Sequence, residues 1–325
     1  MINGHGDDAY KYSDIRIDFS SNICAHGSHE ALMAYLAAQP SLLDHYPEPE
    51  AWSLERMIAD RHDIDPRCVI VTSGATEAIY LIAQTFRYRS VIPQPTFSEY
   101  EDANCMFGDN GSDATVLWLC NPNNPTGEVY DQLYIDRMMT EHYLLVLDQS
   151  YENYSSSAVM TPKAASDRDN VIQLHSMTKT YGVPGLRLGY ITAHPRLSAQ
   201  LRRHLRPWSV SALAIEAGKY LLQHDEFLCR PDLSEAQRLR DCLLQLPGID
   251  VLPTQTNFML CQLAHGTADE LKDHLARHCS ILIRDASNFR SLTDRHFRIA
   301  AQTPAENDEL VAALRNYLFR DSVFS

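Results

Sequence analysis

Residues 171–190 read VIQLHSMTKTYGVPGLRLGY and carry the strongest structural signal in the chain. The apolar run at 171–174 predicts a buried strand. A lysine, Lys179, follows closely, and the next ten residues contain glycines, a proline and Arg187. Glycine and proline at this density are typical of a turn. The stretch therefore predicts a strand that ends in a turn bearing an amine, hydroxyl groups and a guanidinium.

The side chains of this turn suit one cofactor. The amine of Lys179 can bind pyridoxal phosphate (PLP) covalently. Ser176, Thr178 and Arg187 are hydrogen-bond donors suited to the phosphate of that cofactor. A surface lysine in a polar loop is the alternative that this segment alone leaves open.

Length and composition set wider limits. The chain has 325 residues, 45% hydrophobic and 22% charged, which is enough for a core and for two domains. A net charge of -14 argues against binding to nucleic acid or to an anionic membrane surface. The eight cysteines are scattered without a C-x-x-C pair, so we expect buried thiols and no metal site. Without a signal-peptide core or a membrane-length apolar run, we expect a cytoplasmic protein.

Upstream of residue 190, short apolar runs alternate with helix-like stretches. Strands are expected at 68–71, 91–92, 115–119, 143–147 and 171–174, with helices at 76–86 and 131–142. Such alternation predicts a mainly parallel sheet covered by helices, with ligands at the carboxyl ends of the strands. Ser73, Asn121, Asp148 and Ser176 all stand at such ends.

The pattern changes after residue 194. A helical stretch is expected over 196–224, followed by strands at 251–263, 281–284 and 297–300 with helices between them. Thr267 with Glu270, and Thr303 with Glu306, have the spacing of capping boxes. This mixture of helices and strands predicts a small α+β domain. The expected division is an N-terminal segment packing with the small domain, a large domain and the small domain, at 1–40, 41–219 and 220–325.

Two other turns hold residues of matching chemistry. Gly74 permits a tight turn in which the amides of Ala75 and Thr76 point from a helix N-terminus at a phosphate, although an ordinary strand-to-helix turn is equally compatible. The turn at 121–127, NPNNPTG, is stiffened by two prolines. A rigid loop of this kind can present Asn124 to the phenolic oxygen of a pyridine cofactor.

Asp148 ends an apolar strand and is followed by Tyr151. A carboxylate there can pair with a protonated pyridine nitrogen and keep the ring cationic, so that the ring accepts electrons. Tyr151 can donate a hydrogen bond to the ring oxygen. A helix N-cap is the alternative role for Asp148.

Together and in this order, the segments resemble the fold-type I PLP enzymes of the class I and II aminotransferase superfamily. The resemblance implies an α/β fold with a large domain, built on a mainly parallel seven-stranded-type sheet, and a small α+β domain. It implies that Lys179, Asp148 and Tyr151 are catalytic. The other implied cofactor contacts are Gly74, Ala75, Thr76, Phe97, Asn124, Ser176, Thr178, Arg187 and Tyr46. The chain is shorter than the superfamily pattern between residues 100 and 121, which implies a lost or reduced strand and helix.

Within the superfamily, residues 17–23 and 45–47 resemble both threonine-phosphate decarboxylases and histidinol-phosphate aminotransferases. The segments that favour the decarboxylases are 4–6, 207–210, 281–289 and 297–300. The implied substrate contacts are His5, Gly6, Asn22, Asn124, Arg284 and Arg298. Two arginines on separate strands suit a substrate with two anionic groups, although Arg284 could instead be a solvated charge at a strand end.

The interpretation that follows is PLP-dependent decarboxylation of L-threonine O-3-phosphate to (R)-1-amino-2-propanol O-2-phosphate. In that family the product supplies the aminopropanol linker of cobalamin. The alternatives are a histidinol-phosphate aminotransferase or related transaminase, and a catalytically silent PLP-binding regulatory module. The resemblance also implies a symmetric homodimer with shared active sites, in which Tyr46 reaches the partner's cofactor phosphate.

Overall fold

The computed structural model describes residues 8–23 and 29–321. Its strands are β1 Ile17–Asp18, β2 Val69–Thr72, β3 Arg89–Val91, β4 Thr115–Cys120, β5 Leu144–Asp148, β6 Val171–Ser176, β7 Gly189–Ala193, β8 Ile249–Val251, β9 Phe258–Leu263, β10 Ile281–Leu282, β11 Arg284–Asp285 and β12 His296–Ala300. Its helices are α1 Glu30–Ala37, α2 Trp52–His62, α3 Gly74–Thr85, α4 Glu99–Phe107, α5 Gln132–Glu141, α6 Pro162–Ser166, α7 Met177–Thr180, α8 Pro195–Arg202, α9 Ala212–Leu222, α10 Leu233–Leu244, α11 Ala268–Cys279 and α12 Pro304–Asp321.

Six strands form the larger sheet, in the order β2-β7-β6-β5-β4-β3. Strands β3 to β6 run parallel, whereas β7 is antiparallel to both of its neighbours. The prediction of a mainly parallel α/β sheet is confirmed. The described residues form six strands of the seven-stranded type, in keeping with the strand expected to be lost or reduced between residues 100 and 121. Only residues 108–114 join α4 to β4. A further parallel strand between them, with its own crossover connection, would need a longer segment. A helix is also expected to be lost or reduced in this shortened region, but one helix, α4, is present there.

Side chains from the larger sheet are buried on both of its faces. On one face, alternate residues such as Trp118 and Val146 pack with Ile79 of α3. On the other face, their neighbours Leu119 and Leu147 pack against α5 and α6. Successive strand residues point to opposite faces, so a run of apolar residues is expected wherever helices cover both. This explains the unbroken apolar runs in the sequence.

The outer edge of β2 is covered by an ion pair. The side chain of Glu55, on α2, accepts a hydrogen bond from the backbone N–H of Val71 at 3.1 Å. Arg202, on α8, donates to Glu55 at 2.8 Å and to the carbonyl of Val69 at 2.6 Å. An exposed edge strand would offer these backbone groups to another chain. The pair therefore caps the edge of the sheet.

The prediction of one helical stretch over 196–224 is wrong in one respect, because the segment forms two helices, α8 and α9. Pro207 lies in the break, and Trp208 has a φ of 60°, which a helix does not allow. Ser211 then caps α9 by accepting a hydrogen bond from the backbone of Ala214. The strand expected over 251–263 is likewise two strands, because Pro253 cannot donate to a ladder.

A second sheet, antiparallel in the order β11-β12-β9-β8, packs against α10, α11 and α12. Strand β1 pairs with β10, and its Ile17 and the following Phe19 belong to this core, whereas α1 packs against α9. Both predicted capping boxes are confirmed, at the starts of α11 and α12. The domain boundaries at residues 41 and 220 stay predictions.

In the two described ranges, no helix combines the length and the apolarity that crossing a membrane requires. The same ranges hold no group of three or more His, Cys, Asp or Glu side chains arranged for a metal ion. The cysteines in these ranges are free thiols, and Cys105 is exposed rather than buried as expected.

Two histidines, the half-buried His62 of α2 and the buried His175 of β6, lie close together where α2 meets the larger sheet. The rings of His62 and His175 are 6.4 Å apart, and Tyr190 stacks on His175 at 4.4 Å. The hydroxyl of Tyr190 and Nε2 of His62 share a hydrogen bond of 3.1 Å. Burial, reinforced by the neighbouring imidazole of His175, lowers the pKa of His62 to about 4.

We predict that His62 makes the fold sensitive to mild acid. The unfolded chain binds a proton at His62 below about pH 6.5, whereas the folded protein resists protonation down to about pH 4. The contribution of His62 to the free energy of unfolding is thus complete above pH 6.5. It declines as the pH falls, by roughly 2 kcal/mol at pH 5. Urea unfolding of the parent and of His62→Gln at pH 7 and pH 5 should give a smaller pH effect in the variant. The exposed His265→Gln should behave like the parent, and equal slopes in all three proteins would contradict the prediction.

Candidate active site

A cavity of about 300 Å³ lies at the carboxyl ends of β4, β5 and β6, beside β11 and β12. It brings together these predicted site residues: Asn22, Ala75, Thr76, Phe97, Asn124, Asp148, Tyr151, Ser176, Thr178, Lys179, Arg187, Arg284 and Arg298. It is also lined by residues to which the sequence interpretation gave no role: Ser20, Ser21, Ile23, Ser98, Tyr100, Cys120, Ser150, Pro184, Asn288 and Phe289.

Two predicted residues of the described ranges, Gly74 and Tyr46, do not line this cavity. Gly74 lies directly behind Arg187, since a Cβ on Gly74 would be 2.8 Å from the guanidinium. Tyr46 is 84% exposed and packs against Trp208, so it does not line the cavity of its own chain. His5 and Gly6 lie outside the described residues.

Lys179 enters the cavity from the short helix α7, which begins where β6 ends. Its amine lies 5.9 Å from the centre of the Tyr151 ring. The hydroxyl of the buried Tyr154 donates to the backbone carbonyl of Lys179 at 3.0 Å. Tyr154 also packs edge-on against Tyr151. The lysine backbone and the Tyr151 ring are therefore held by one residue.

One end of the cavity is built for a phosphate. Helix α3 begins here, and the first amides of a helix have no acceptor within it. The φ of Gly74 is 77°, which glycine adopts without strain and which leaves room for Arg187. The hydroxyl of Thr178 is buried without a hydrogen-bond partner among the described residues. Amides, a hydroxyl and a guanidinium thus surround one space.

The middle of the cavity suits a flat, cationic ring. Asp148 is 4% exposed, and its carboxylate accepts hydrogen bonds from the hydroxyl of Tyr100 at 2.6 Å and the amide of Ser150 at 2.8 Å. Phe97 supplies an aromatic side chain beside it. Burial raises the pKa of Tyr151 to about 12, so the phenol stays protonated and can donate.

Arg298 closes the side that faces the second sheet. It is 5% exposed and donates to the side chain of Asn124 and to the carbonyl of Ser20. Its Nε is buried without a partner among the described residues, as are both polar atoms of the Asn22 side chain. Burial lowers the pKa of Arg298. These groups leave hydrogen-bonding capacity for a bound anion.

Arg284 lies opposite Arg298 in the β11–β12 ladder. It donates to Asn288 at 2.8 Å and lies over the ring of Phe289. Burial and the like charge of Arg298 lower the pKa of Arg284 to about 10. The predicted alternative, a solvated charge, does not fit a side chain that is 7% exposed. Two buried cations side by side are suited to a ligand with two negative charges.

The residues present fit a planar phosphorylated cofactor beside a doubly anionic substrate. The unpartnered Oγ1 of Thr178, Nδ2 of Asn22 and Nε of Arg298 are donors that such a pair can use. Lys179 can hold the cofactor and Asp148 can face its ring nitrogen. Buried polar groups are almost always hydrogen-bonded in folded proteins, so several orphans around one cavity indicate a ligand site.

The sequence pattern named "Aminotransferase class I and II" matches residues 108–314. The threonine-phosphate decarboxylase of Salmonella typhimurium is 30% identical over 94% of this chain and 92% of its own length. The histidinol-phosphate aminotransferase of Symbiobacterium thermophilum is 28% identical over 83% of this chain and 81% of its own. The crystal structure of L-threonine-O-3-phosphate decarboxylase from Porphyromonas gingivalis covers 93% of this chain and 99% of its own, with a TM-score of 0.88 and 37% identity. The chain therefore belongs to the aminotransferase class I and II family.

Proposed function

We propose that this chain is a PLP-dependent decarboxylase of L-threonine O-3-phosphate. The observation that carries the proposal is the pair of buried arginines, Arg284 and Arg298, opposite each other beside Lys179. A substrate with a carboxylate and a phosphate offers one anion to each guanidinium. The similarity to proteins of that name supports the same substrate.

The cofactor contacts follow from the two ends of the cavity. The amides of Ala75 and Thr76, with Ser176, Thr178 and Arg187, would bind the phosphate of PLP. Lys179 would bind its carbonyl carbon, and Asp148 would face the ring nitrogen. When bound, PLP supplies a cationic ring that accepts the electrons released as a bond to Cα breaks. Phe97 would stack on the ring, and Asn124 and Tyr151 would contact its phenolic oxygen.

The protein's own contribution to decarboxylation is orientation. The bond that breaks must stand perpendicular to the ring, so the carboxylate has to be held out of the ring plane. Arg298, fixed by Asn124 and Ser20, and Arg284, fixed by Asn288, can hold two anions at defined positions. Lys179 Nζ would then deliver a proton to Cα. Residues 4–6, which contain His5 and Gly6, would complete the substrate site together with Asn22.

The runner-up is a histidinol-phosphate aminotransferase, which the similarity to a protein of that name supports. Such an enzyme removes the Cα proton and needs a keto acid as amino acceptor. A catalytically silent PLP-binding module is less compatible with the cavity, because Lys179, Asp148 and both arginines line it together. We also infer a role in making the aminopropanol linker of cobalamin, and a cytoplasmic location, which suits free thiols.

A homodimer is part of the proposal. Trp208 donates its backbone N–H to the carbonyl of Pro49, and its ring packs against Tyr46. Both rings belong to a set of exposed large apolar side chains, the others near them in sequence being Met33, Leu43 and Trp52. Exposed apolar residues in such number are typical of an interface. A second cavity of about 530 Å³ shares Thr76 and Arg187 with the first and offers Tyr46 of a second copy a route to the phosphate end.

The first experiment is a product assay. Incubated with PLP and threonine phosphate, the protein should release carbon dioxide and form aminopropanol phosphate without 2-oxoglutarate. Lys179→Ala should release none, and borohydride should then fix no cofactor to the protein, whereas the exposed Lys163→Ala should keep both properties. Turnover that needs 2-oxoglutarate would favour the transaminase, and a cofactor adduct on Lys179→Ala would contradict the assignment of this lysine.

Arg284→Ala and Arg298→Ala should each lower kcat/KM for threonine phosphate at least about 30-fold. That factor corresponds to roughly 2 kcal/mol, the free energy of one charge-assisted hydrogen-bonding partner in a buried site. Steady-state kinetics would measure it. Arg290→Ala is a matched control, because Arg290 is exposed and pairs with Glu101. Parent-like kinetics in both buried-arginine variants would refute the two-anion site.

Tyr46 should act in the active site of the other subunit. A mixture of Tyr46→Ala and Lys179→Ala subunits should form mixed dimers with one intact site, and random mixing should restore about a quarter of the parent activity. A mixture of Asp148→Asn and Lys179→Ala should restore none, since both defects fall within each chain's own site. Sedimentation of a fully active monomer, or no recovery despite subunit exchange, would exclude the shared site.

A further inference from the structure

Tyr100 is a buried residue of the cavity that has no role in the proposed function so far. It lies on α4, three residues after Phe97, and is 1% exposed. Its ring stacks on Trp118 at 5.5 Å and meets Phe97 edge-on at 5.8 Å. Both contacts restrict rotation of the ring. The hydroxyl is thereby directed at a carboxylate acceptor, with the thiol of Cys120 beside it.

That acceptor is Oδ2 of Asp148, 2.6 Å away. Burial, with the neighbouring charge of Asp148, raises the pKa of Tyr100 well above its usual value, so the hydroxyl keeps its proton and is the donor. Oδ1 of Asp148 accepts from the amide of Ser150. Cys120 lies directly opposite Asp148 in the β4–β5 ladder and adds no charge, because burial raises its pKa as well. The carboxylate thus stands in a dry setting with a strong phenolic donor.

We propose that Tyr100 is a positioning residue whose hydrogen bond holds and stabilises the charged carboxylate of Asp148, so that a proton shared between Asp148 and the cofactor ring stays on the ring nitrogen. This inference rests on the proposed binding of PLP. A hydrogen bond donated to a carboxylate stabilises its charged form. Without the donor, the carboxylate competes more strongly for the shared proton, and the ring loses positive charge. One hydrogen bond to a charged group corresponds to about a tenfold or larger change in that balance.

The ring of Tyr100 carries a second part of the argument. Phe97 would stack on the cofactor ring, and Tyr100 touches Phe97 as well as Asp148. Tyr100 therefore contacts both the residue that would stack on the cofactor ring and the carboxylate that would face the ring nitrogen. Tyr100→Phe separates the two effects, because it removes the hydroxyl and keeps the ring.

The test measures protonation of the ring nitrogen directly. Each protein is loaded with PLP labelled with ¹⁵N in the ring, and its nitrogen resonance is followed from pH 6 to pH 9 without substrate. The parent should give the protonated resonance throughout. Tyr100→Phe should give a resonance displaced toward neutral pyridine, with Asp148→Asn as the unprotonated reference. Its kcat should fall about tenfold with little change in KM, since the ring charge matters in the transition state.

Two controls distinguish the hydroxyl from packing. Trp118→Phe alters the stacking partner and keeps the hydroxyl of Tyr100, and Tyr190→Phe removes a different buried phenol, one bonded to His62. Both should give the parent resonance. A parent-like resonance in Tyr100→Phe, or the same displacement in Trp118→Phe, would overturn the inference. A parent that binds no PLP would instead refute the proposed function.

Discussion

Arg298 ties together three segments that are far apart in the chain. Its guanidinium donates to the carbonyl of Ser20 and to the side chain of Asn124, while its own strand pairs with β9 and β11. The N-terminal segment, the loop after β4 and the second sheet therefore meet around one buried cation. A buried guanidinium is costly unless its donors are used, so the contacts fix these segments relative to each other.

A second point of contact reinforces this arrangement. The loop that presents Asn124 continues to Gly127, whose carbonyl accepts a hydrogen bond from the amide of Gln255 at 2.9 Å. A Cβ on Gly127 would lie 2.0 Å from the hydroxyl oxygen of Thr254, so only glycine permits this approach. The φ of 73° at this residue has the same requirement. The two sheets thus meet at a polar contact through backbone atoms, next to the cavity.

Much of the site could be predicted from the sequence because its residues stand at strand ends. Lys179, Asp148 and Asn124 each follow an apolar run, and parallel strands bring such ends to one edge of a sheet. Tyr100 was missed because its role depends on the orientation of its hydroxyl. Its spacing of three from Phe97, which brings the two rings together, was the available signal. Ser20 contributes a backbone carbonyl, for which residue type gives no indication.

The fold departs from the sequence prediction where local signals compete. The pattern over 196–224 is apolar at helical spacing, yet Pro207 and the left-handed Trp208 divide it into two helices. The missing strand of the larger sheet could be anticipated from the short segment before β4. That α4 would survive the shortening could not, because a chain length does not specify which of two elements is lost.

The pair of arginines also determines which ligands the cavity excludes. Free threonine is smaller than the proposed substrate, so no steric clash would keep it out. It would, however, leave one of the two buried guanidinium groups without an anionic partner, next to the unpartnered amide of Asn22. A site built to pair with a polar group discriminates against analogues that lack it by factors on the order of 10⁴. The repulsion between the two buried guanidinium groups therefore favours a ligand that carries two negative charges over a ligand that carries one.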